Sequence, residues 1–266
     1  MGSIWTGTGW SGNAGIGAGG TPTFAMRSDQ PLADFQAATD PSASFPDYPD
    51  RLWDPDLLAL SVLPEFFGNS LPGGYWKNRI TISPPGPVTQ AEIDRLKILA
   101  VTERPEALGE IIEQDQNFQV DWLQLLMIDG STHPHTLLLM KLAARVGEVV
   151  MICYKRQFAK SSARPRPSQL LPTLYPPVPV PGHAPYPAGH ALIGHLTSIC
   201  LAELRPALRP VLVELARRVW FNRMIAGLHY ESDCLAGVNV AQQVLPILNE
   251  CPTYILVKGK ASSEWA

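Results

Sequence analysis

Nine prolines crowd into residues 165–187, a stretch of 23. Each proline fixes φ and removes a backbone donor, so neither a long helix nor a central strand can run through this segment. Regular structure must lie before it and after it, with a stiff, hydrogen-bond-poor loop between. That loop ends in His183-Ala184-Pro185-Tyr186-Pro187-Ala188-Gly189-His190, and Ala191-Leu192-Ile193-Gly194-His195-Leu196 follows at once as an apolar run at helical spacing. Gly189 and His190 therefore stand at a helix start. Amides point outward there at the positive end of the helix dipole, and glycine lets a ligand come close, so an anion is the natural guest.

The remaining segments repeat with the helical period. Thr89-Gln90-Ala91-Glu92 reads as a capping box opening a helix through Leu99. A second helix is expected over 105–127, broken near Asn117, and Asp129-Gly130-Ser131-Thr132 is a turn. A third spans 135–160 and is apolar over most of its surface until Tyr154, where Lys155, Arg156 and Lys160 arrive. A buried helix ending in positive charge is costly unless something negative waits there. Helices over 190–204, 208–226 and 231–245 complete the set. No stretch alternates well enough to be a strand, and the expected fold class is an all-α bundle.

Residues 51–88 set Trp53, Phe66, Phe67, Tyr75 and Trp76 among prolines and glycines, which predicts irregular chain pinned by aromatic anchors. Residues 1–50 are rich in glycine, serine, proline and aspartate and read as an irregular tail or wrap on a single helical domain of residues 51–266. Gly15 to Gly20 has the spacing of a dinucleotide fingerprint but no strand before it and no helix after it. Met1 to Thr6 fits an acylation pattern that occurs often by chance.

A net charge of −3 gives no reason to expect nucleic acid or a membrane surface as partner. The four cysteines lie far apart, match no zinc spacing and read as reduced, buried hydrophobes. The greasiest stretch, 136–154, carries Lys141, Arg145 and Glu148 and is too charged to span a bilayer. With no charged, apolar leader at the start, the expectation is a soluble, cytoplasmic protein, for which a homo-oligomer is an open option.

Chemistry concentrates in Arg223-Met224-Ile225-Ala226-Gly227-Leu228-His229-Tyr230-Glu231-Ser232-Asp233. On a helix, residues four apart are neighbours, so Asp233 would fix the tautomer of His229 and leave its other nitrogen a lone pair. Gly227 allows the chain to break so that Arg223 and His229 turn into one pocket.

These residues resemble the soluble branch of the superfamily that joins phosphatidic-acid-phosphatase-like acid phosphatases with vanadium-dependent haloperoxidases. Its three ordered segments are Lys, six residues, Arg-Pro; Pro-Ser-Gly-His; and Ser-Arg, five residues, His, three residues, Asp. Here the third is Asn222-Arg223 through His229 to Asp233 and the second is Pro187-Ala188-Gly189-His190. The first departs most: Lys155 is followed by Arg164-Pro165 and Arg166-Pro167, nine and eleven residues on. Eleven residues make about three helical turns, so Lys155 and Arg166 would share a face if the helix continued. Lys160 and Arg164 are the rivals. The resemblance covers roughly residues 90–245.

It implies that Lys155, Arg166 (or Arg164) and Arg223 clamp an oxyanion, with the Gly189 amide and the Ala188 position beside them. His229 would bond phosphorus or vanadium, Asp233 would orient it, and His190 would be the acid–base group. Alanine at 188 forgoes a charge-assisted hydrogen bond of about 1.5–3 kcal/mol. His183, seven residues before His190, sits where the resemblance places a histidine in bromoperoxidases. The leading expectation is a vanadate-dependent oxidation of bromide or iodide by peroxide. The alternatives are an acid phosphatase that needs no cofactor and works through a phosphohistidine at His229 on a small phosphate ester, and a non-catalytic phosphate-binding or assembly protein. His133, His135 and His195 read as ordinary structural residues.

Overall fold

A computed structural model describes residues 53–266. The tail at 1–50, the Gly15–Gly20 run and the acylation pattern lie outside the described residues. Among those described there is no strand, and the fold is all-α. Among the described residues no helix is long and apolar enough to cross a membrane.

The organising element is α8 (Gly189–Leu204), buried at nearly every position from Ala191 to Ala202. A helix apolar all round must be surrounded. Packed around it are α6 (Pro134–Ser161), α9 (Arg209–Ile225) and α10 (Glu231–Leu248). Leu192 and Leu196 of α8 meet Leu139, Val146 and Val150 of α6, Leu212 and Val219 of α9, and Val240 and Val244 of α10 in one core. The approach to α10 is closest at Gly237, where a Cβ would stand 2.5 Å from the Ala188 carbonyl oxygen. Glycine is required there because backbone, not a yielding side chain, fills the space.

The capping box at Thr89 is present and opens α3 (Gln90–Thr102). The predicted break near Asn117 separates α4 (Arg104–Asn117) from α5 (Val120–Leu126). α3 and α4 lie over α9, where Leu96, Leu99, Ile111, Trp220 and Met224 form a second apolar cluster. All four cysteines are free, and three of them are buried.

Three expectations need correction. Residues 53–88 are less irregular than predicted: Pro55–Leu58 and Val62–Phe67 are helical, while Trp76 and Phe66 are buried anchors and Trp53 is half exposed. The helix expected to end at 245 runs to Leu248 through Pro246. A further helix, α11 (Pro252–Ser263), then packs against α6. Just beyond it Glu264 accepts from His135 N at 2.7 Å and Thr136 N at 2.8 Å. A carboxylate thus satisfies the first amides of α6, which have no partner within the helix. Its source is 129 residues away, so no local pattern announces it.

Candidate functional site

A cavity of about 100 Å³ opens beside the start of α8. Its floor is formed by Gly189, His190, Arg223 and His229, with His183 at the rim. Both imidazoles singled out by sequence therefore face one space.

α8 starts there without a side-chain cap. The Ala188 side chain can offer no acceptor, and Ala188 N is engaged instead by the Asp233 carbonyl at 2.9 Å. The first amides of α8 remain available to an anion. At Gly189 a Cβ would make only ordinary contacts of 3.5 Å with Met151, so the residue is not needed for fold. His190 packs against Phe118 with ring centroids 4.6 Å apart and planes tilted by 41°. Burial together with the Arg223 charge holds its pKa well below the usual imidazole range.

Arg223 and His229 are brought together by the turn that ends α9. Gly227 has φ of +75°, Gly227 N donates to Met224 O at 2.8 Å and Leu228 N to Arg223 O at 3.0 Å. This is a Schellman motif with glycine in the left-handed position. The chain then runs extended into α10, which begins only at Glu231. His229 and Asp233 are therefore not neighbours on one helix face, as the four-residue spacing suggested. Asp233 sits at the third helical position and its Oδ2 accepts from Tyr230 N at 3.0 Å, which leaves the same oxygen 3.5 Å from His229 Nδ1.

The cations divide by role. Arg223 is 2% exposed and binds Asp115 Oδ1 of α4 at 2.9 Å through one terminal nitrogen. Its Nε and other terminal nitrogen are buried without a partner. A guanidinium with two unsatisfied donors at a cavity floor asks for an oxyanion. Arg166 donates to His183 O and Leu228 O at 3.1 Å and 2.9 Å and lies 3.5 Å from His229 Nε2. Lys155 Nζ, fully buried, donates to the Ala184 and Pro185 carbonyls at 2.7 Å and 2.8 Å. Burial, with the nearby Arg166 charge, pushes its pKa well down. Burial comes first for His229 as well, and the charges of Arg166, Lys155 and Arg223 push its pKa down further.

The shared face proposed for Lys155 and Arg166 does not exist. α6 stops at Ser161 and Arg166 is extended, at φ −71° and ψ 154°, so a turn of the loop rather than a longer helix returns the arginine. Arg164 faces elsewhere: it pairs with Glu92 at 3.0 Å, lies 3.6 Å from Asp233 Oδ1 and covers the Tyr230 ring. It backs the carboxylate that backs His229. Lys160 and the cavity share no contact, since Lys160 is exposed on the last turn of α6.

His183 Nδ1 lies 3.1 Å from the Ala184 carbonyl and 3.2 Å from Arg166 Nη2. A guanidinium only donates and a carbonyl only accepts, so either tautomer serves one of these and not both. Burial holds its pKa down, to about 4. Residues outside the sequence pattern also matter. Asp115 pairs with Arg223, Gln114 Oε1 accepts from Asn222 at 3.0 Å, and Glu92 accepts from both Arg164 and Ser232. The signal for Asp115 and Gln114 was polar residues at buried positions of a helix, visible only once burial is known. His133, His135 and His195 lie away from the cavity floor, His133 against Trp265 and His135 paired with Glu264.

Searched against protein-family models, the chain matches none. Over 81 residues it is 30% identical to a non-specific acid phosphatase of Providencia stuartii. The match covers 30% of this chain and 33% of that protein, so the chain spans about a third of its relative's length. The likeness is local, and it is to a phosphatase.

Chemically, the floor combines unsatisfied guanidinium donors, an uncapped helix start, a buried imidazole backed by a carboxylate and a second imidazole across the same cavity. That set can bind a tetrahedral oxyanion, attack it through nitrogen and exchange a proton with one of its oxygens.

Proposed function

We propose that this protein is a phosphomonoesterase acting through a phosphohistidine at His229. The reading rests above all on Arg223, which lines the cavity that also holds both imidazoles and has two donors without a partner. The local likeness to an acid phosphatase favours it over halide oxidation.

In this mechanism Arg223 and the first amides of α8 take the non-bridging phosphoryl oxygens, with the Arg166 and Lys155 charges behind them. His229 Nε2 attacks phosphorus in line, the bond to the ester oxygen breaks, and His190 gives its proton to the leaving alkoxide. Water then attacks the phosphohistidine as His190 takes a proton back, the P–N bond breaks and phosphate departs. Asp233 Oδ2, 3.5 Å from His229 Nδ1, would accept from that nitrogen and leave the Nε2 lone pair for phosphorus. The depressed pKa of His229 suits this work, because the nucleophile keeps its lone pair at a pH where an ordinary imidazole begins to take up a proton.

The donor set does not distinguish phosphate from orthovanadate, which would be held by Arg223, the α8 amides and His229 and would supply a peroxide-activating centre. His183 is the residue that favours that second reading. It stands at the rim with its Nδ1 near Arg166 and the Ala184 carbonyl.

The test is to incubate the protein with a ³²P-labelled phenyl phosphate and quench in alkali, which preserves phosphohistidine. Label on the wild type, absent from His229→Ala, is the expected result. No hydrolysis across aryl, alkyl and sugar esters from pH 4 to 8 would end the proposal; bromination of a phenol by peroxide only after vanadate addition would install the other reading.

A further inference from the structure

The cavity continues outward from the anion floor along one face of α6, through Met151, Glu148, Arg145 and Lys141. Their spacing of three, three and four residues keeps them on one stripe, which rises about 1.5 Å per residue from floor to mouth. Three of the four are charged, and Asp56 of the first helix completes the set. Arg145 binds Glu148 at 2.9 Å and Asp56 at 2.8 Å, and Lys141 binds Asp56 at 3.2 Å. Two acids and two bases leave this wall with no net charge. The end of α4 and the turn after it contribute Gln116, Asn117 and Gln119, three residues with side-chain amides, to the same lining.

A second phosphate or carboxylate on a substrate would meet Asp56 and Glu148 while the facing cations are already engaged. An alkyl group would strip water from an ion-pair chain and return no hydrogen bonds, which is costly. Hydroxyl groups both donate and accept, so they match amides and a carboxylate–guanidinium chain alike. The cavity as a whole, anion floor included, measures about 100 Å³, so the part left for the group is small.

We infer that the outer cavity is a leaving-group subsite for a small, uncharged polyol, so that the preferred esters are monophosphates of short sugars or polyols. Glu148 and Gln119 are its specificity-determining residues. This inference rests on the phosphomonoesterase reading.

The experiment compares kcat/KM for glycerol 3-phosphate and n-propyl phosphate, esters with the same carbon count, with phenyl phosphate as a third substrate. The expected preference for glycerol 3-phosphate is about tenfold or more, as a hydrogen bond to a charged group provides. Glu148→Gln and Gln119→Ala should each reduce that ratio by at least about threefold. Both variants are made because Glu148 also braces Arg145, whereas Gln119 lies in a turn. A ratio near one, or a ratio that neither substitution moves, overturns the subsite and leaves the phosphatase standing. Failure to hydrolyse any of the three esters overturns both.

Discussion

Asp233 Oδ2 lies 3.5 Å from His229 Nδ1 and 3.0 Å from Tyr230 N, so one carboxylate oxygen opens α10 and faces the candidate nucleophile. The start of a helix thereby sets a carboxylate beside a ring that lies outside it. Asp233→Asn keeps an acceptor for Tyr230 N but removes the charge that steadies His229 as it gains a phosphoryl group. The expected result is a thermal midpoint close to wild type and a kcat lower by about 10²-fold or more. Thermal unfolding and steady-state kinetics on one preparation check it, and equal kcat would show that Asp233 serves the helix alone.

The pair Arg223–Asp115 is buried on both sides and joins α9 to α4. Removing one partner strands a charge, so Arg223→Met should cost about 3–5 kcal/mol in denaturant unfolding. Combining it with Asp115→Leu should recover most of that loss. Phosphate affinity should not return in the double variant, because the unsatisfied donors are gone. Isothermal titration with inorganic phosphate separates the two outcomes, and restored binding would dismiss Arg223 as an anion ligand.

His190 must carry a proton to protonate the leaving oxygen, yet burial and Arg223 hold its pKa well below the imidazole norm in the free protein. kcat/KM should therefore fall as pH rises through that low value. A bound phosphoryl dianion raises the same pKa, so the corresponding limb of kcat should lie at higher pH. Stability runs the other way. With His190 and His229 held neutral in the fold, the unfolded chain takes up more protons once pH drops below about 6.5, and stability declines with acidity. Full pH profiles of both kinetic constants, with unfolding at each pH, test this; superposed limbs of kcat and kcat/KM would contradict it.

Gly237→Ala would place a methyl 2.5 Å from the Ala188 carbonyl and 3.0 Å from Leu192 N, wedging α10 from the start of α8. Overpacking of this kind costs about 1–3 kcal/mol. The activity loss should be larger in proportion, about 10²-fold, because Gly189 and His190 move relative to His229. Circular dichroism and kcat/KM measured together would reveal it.

Much of the bundle could be read from residue order. The capping box at Thr89, the break near Asn117, the start of α8 and the chain break at Gly227 depend on neighbours within a turn or two, and all are found where expected. Helical periodicity also placed His190, Arg223 and His229 near chain breaks that turn them to one cavity. It failed where it was extended past a helix end. α6 stops at Ser161 and α10 starts at Glu231, so neither the Lys155–Arg166 spacing nor the His229–Asp233 spacing is a helix-face relation.

What the sequence determined by itself was the helical alphabet and the donors available to an oxyanion, because both follow from local backbone rules and residue chemistry. Tertiary packing alone decided their duties. Asp115 meets Arg223 across 108 residues, Glu264 caps α6 across 129, and Arg164 is drawn to Glu92 and Asp233 while Arg166 goes to the histidine. Which buried charge finds which partner depends on how helices far apart in the chain come to rest against one another, and the cost of leaving any of them unpaired is what holds the chosen arrangement.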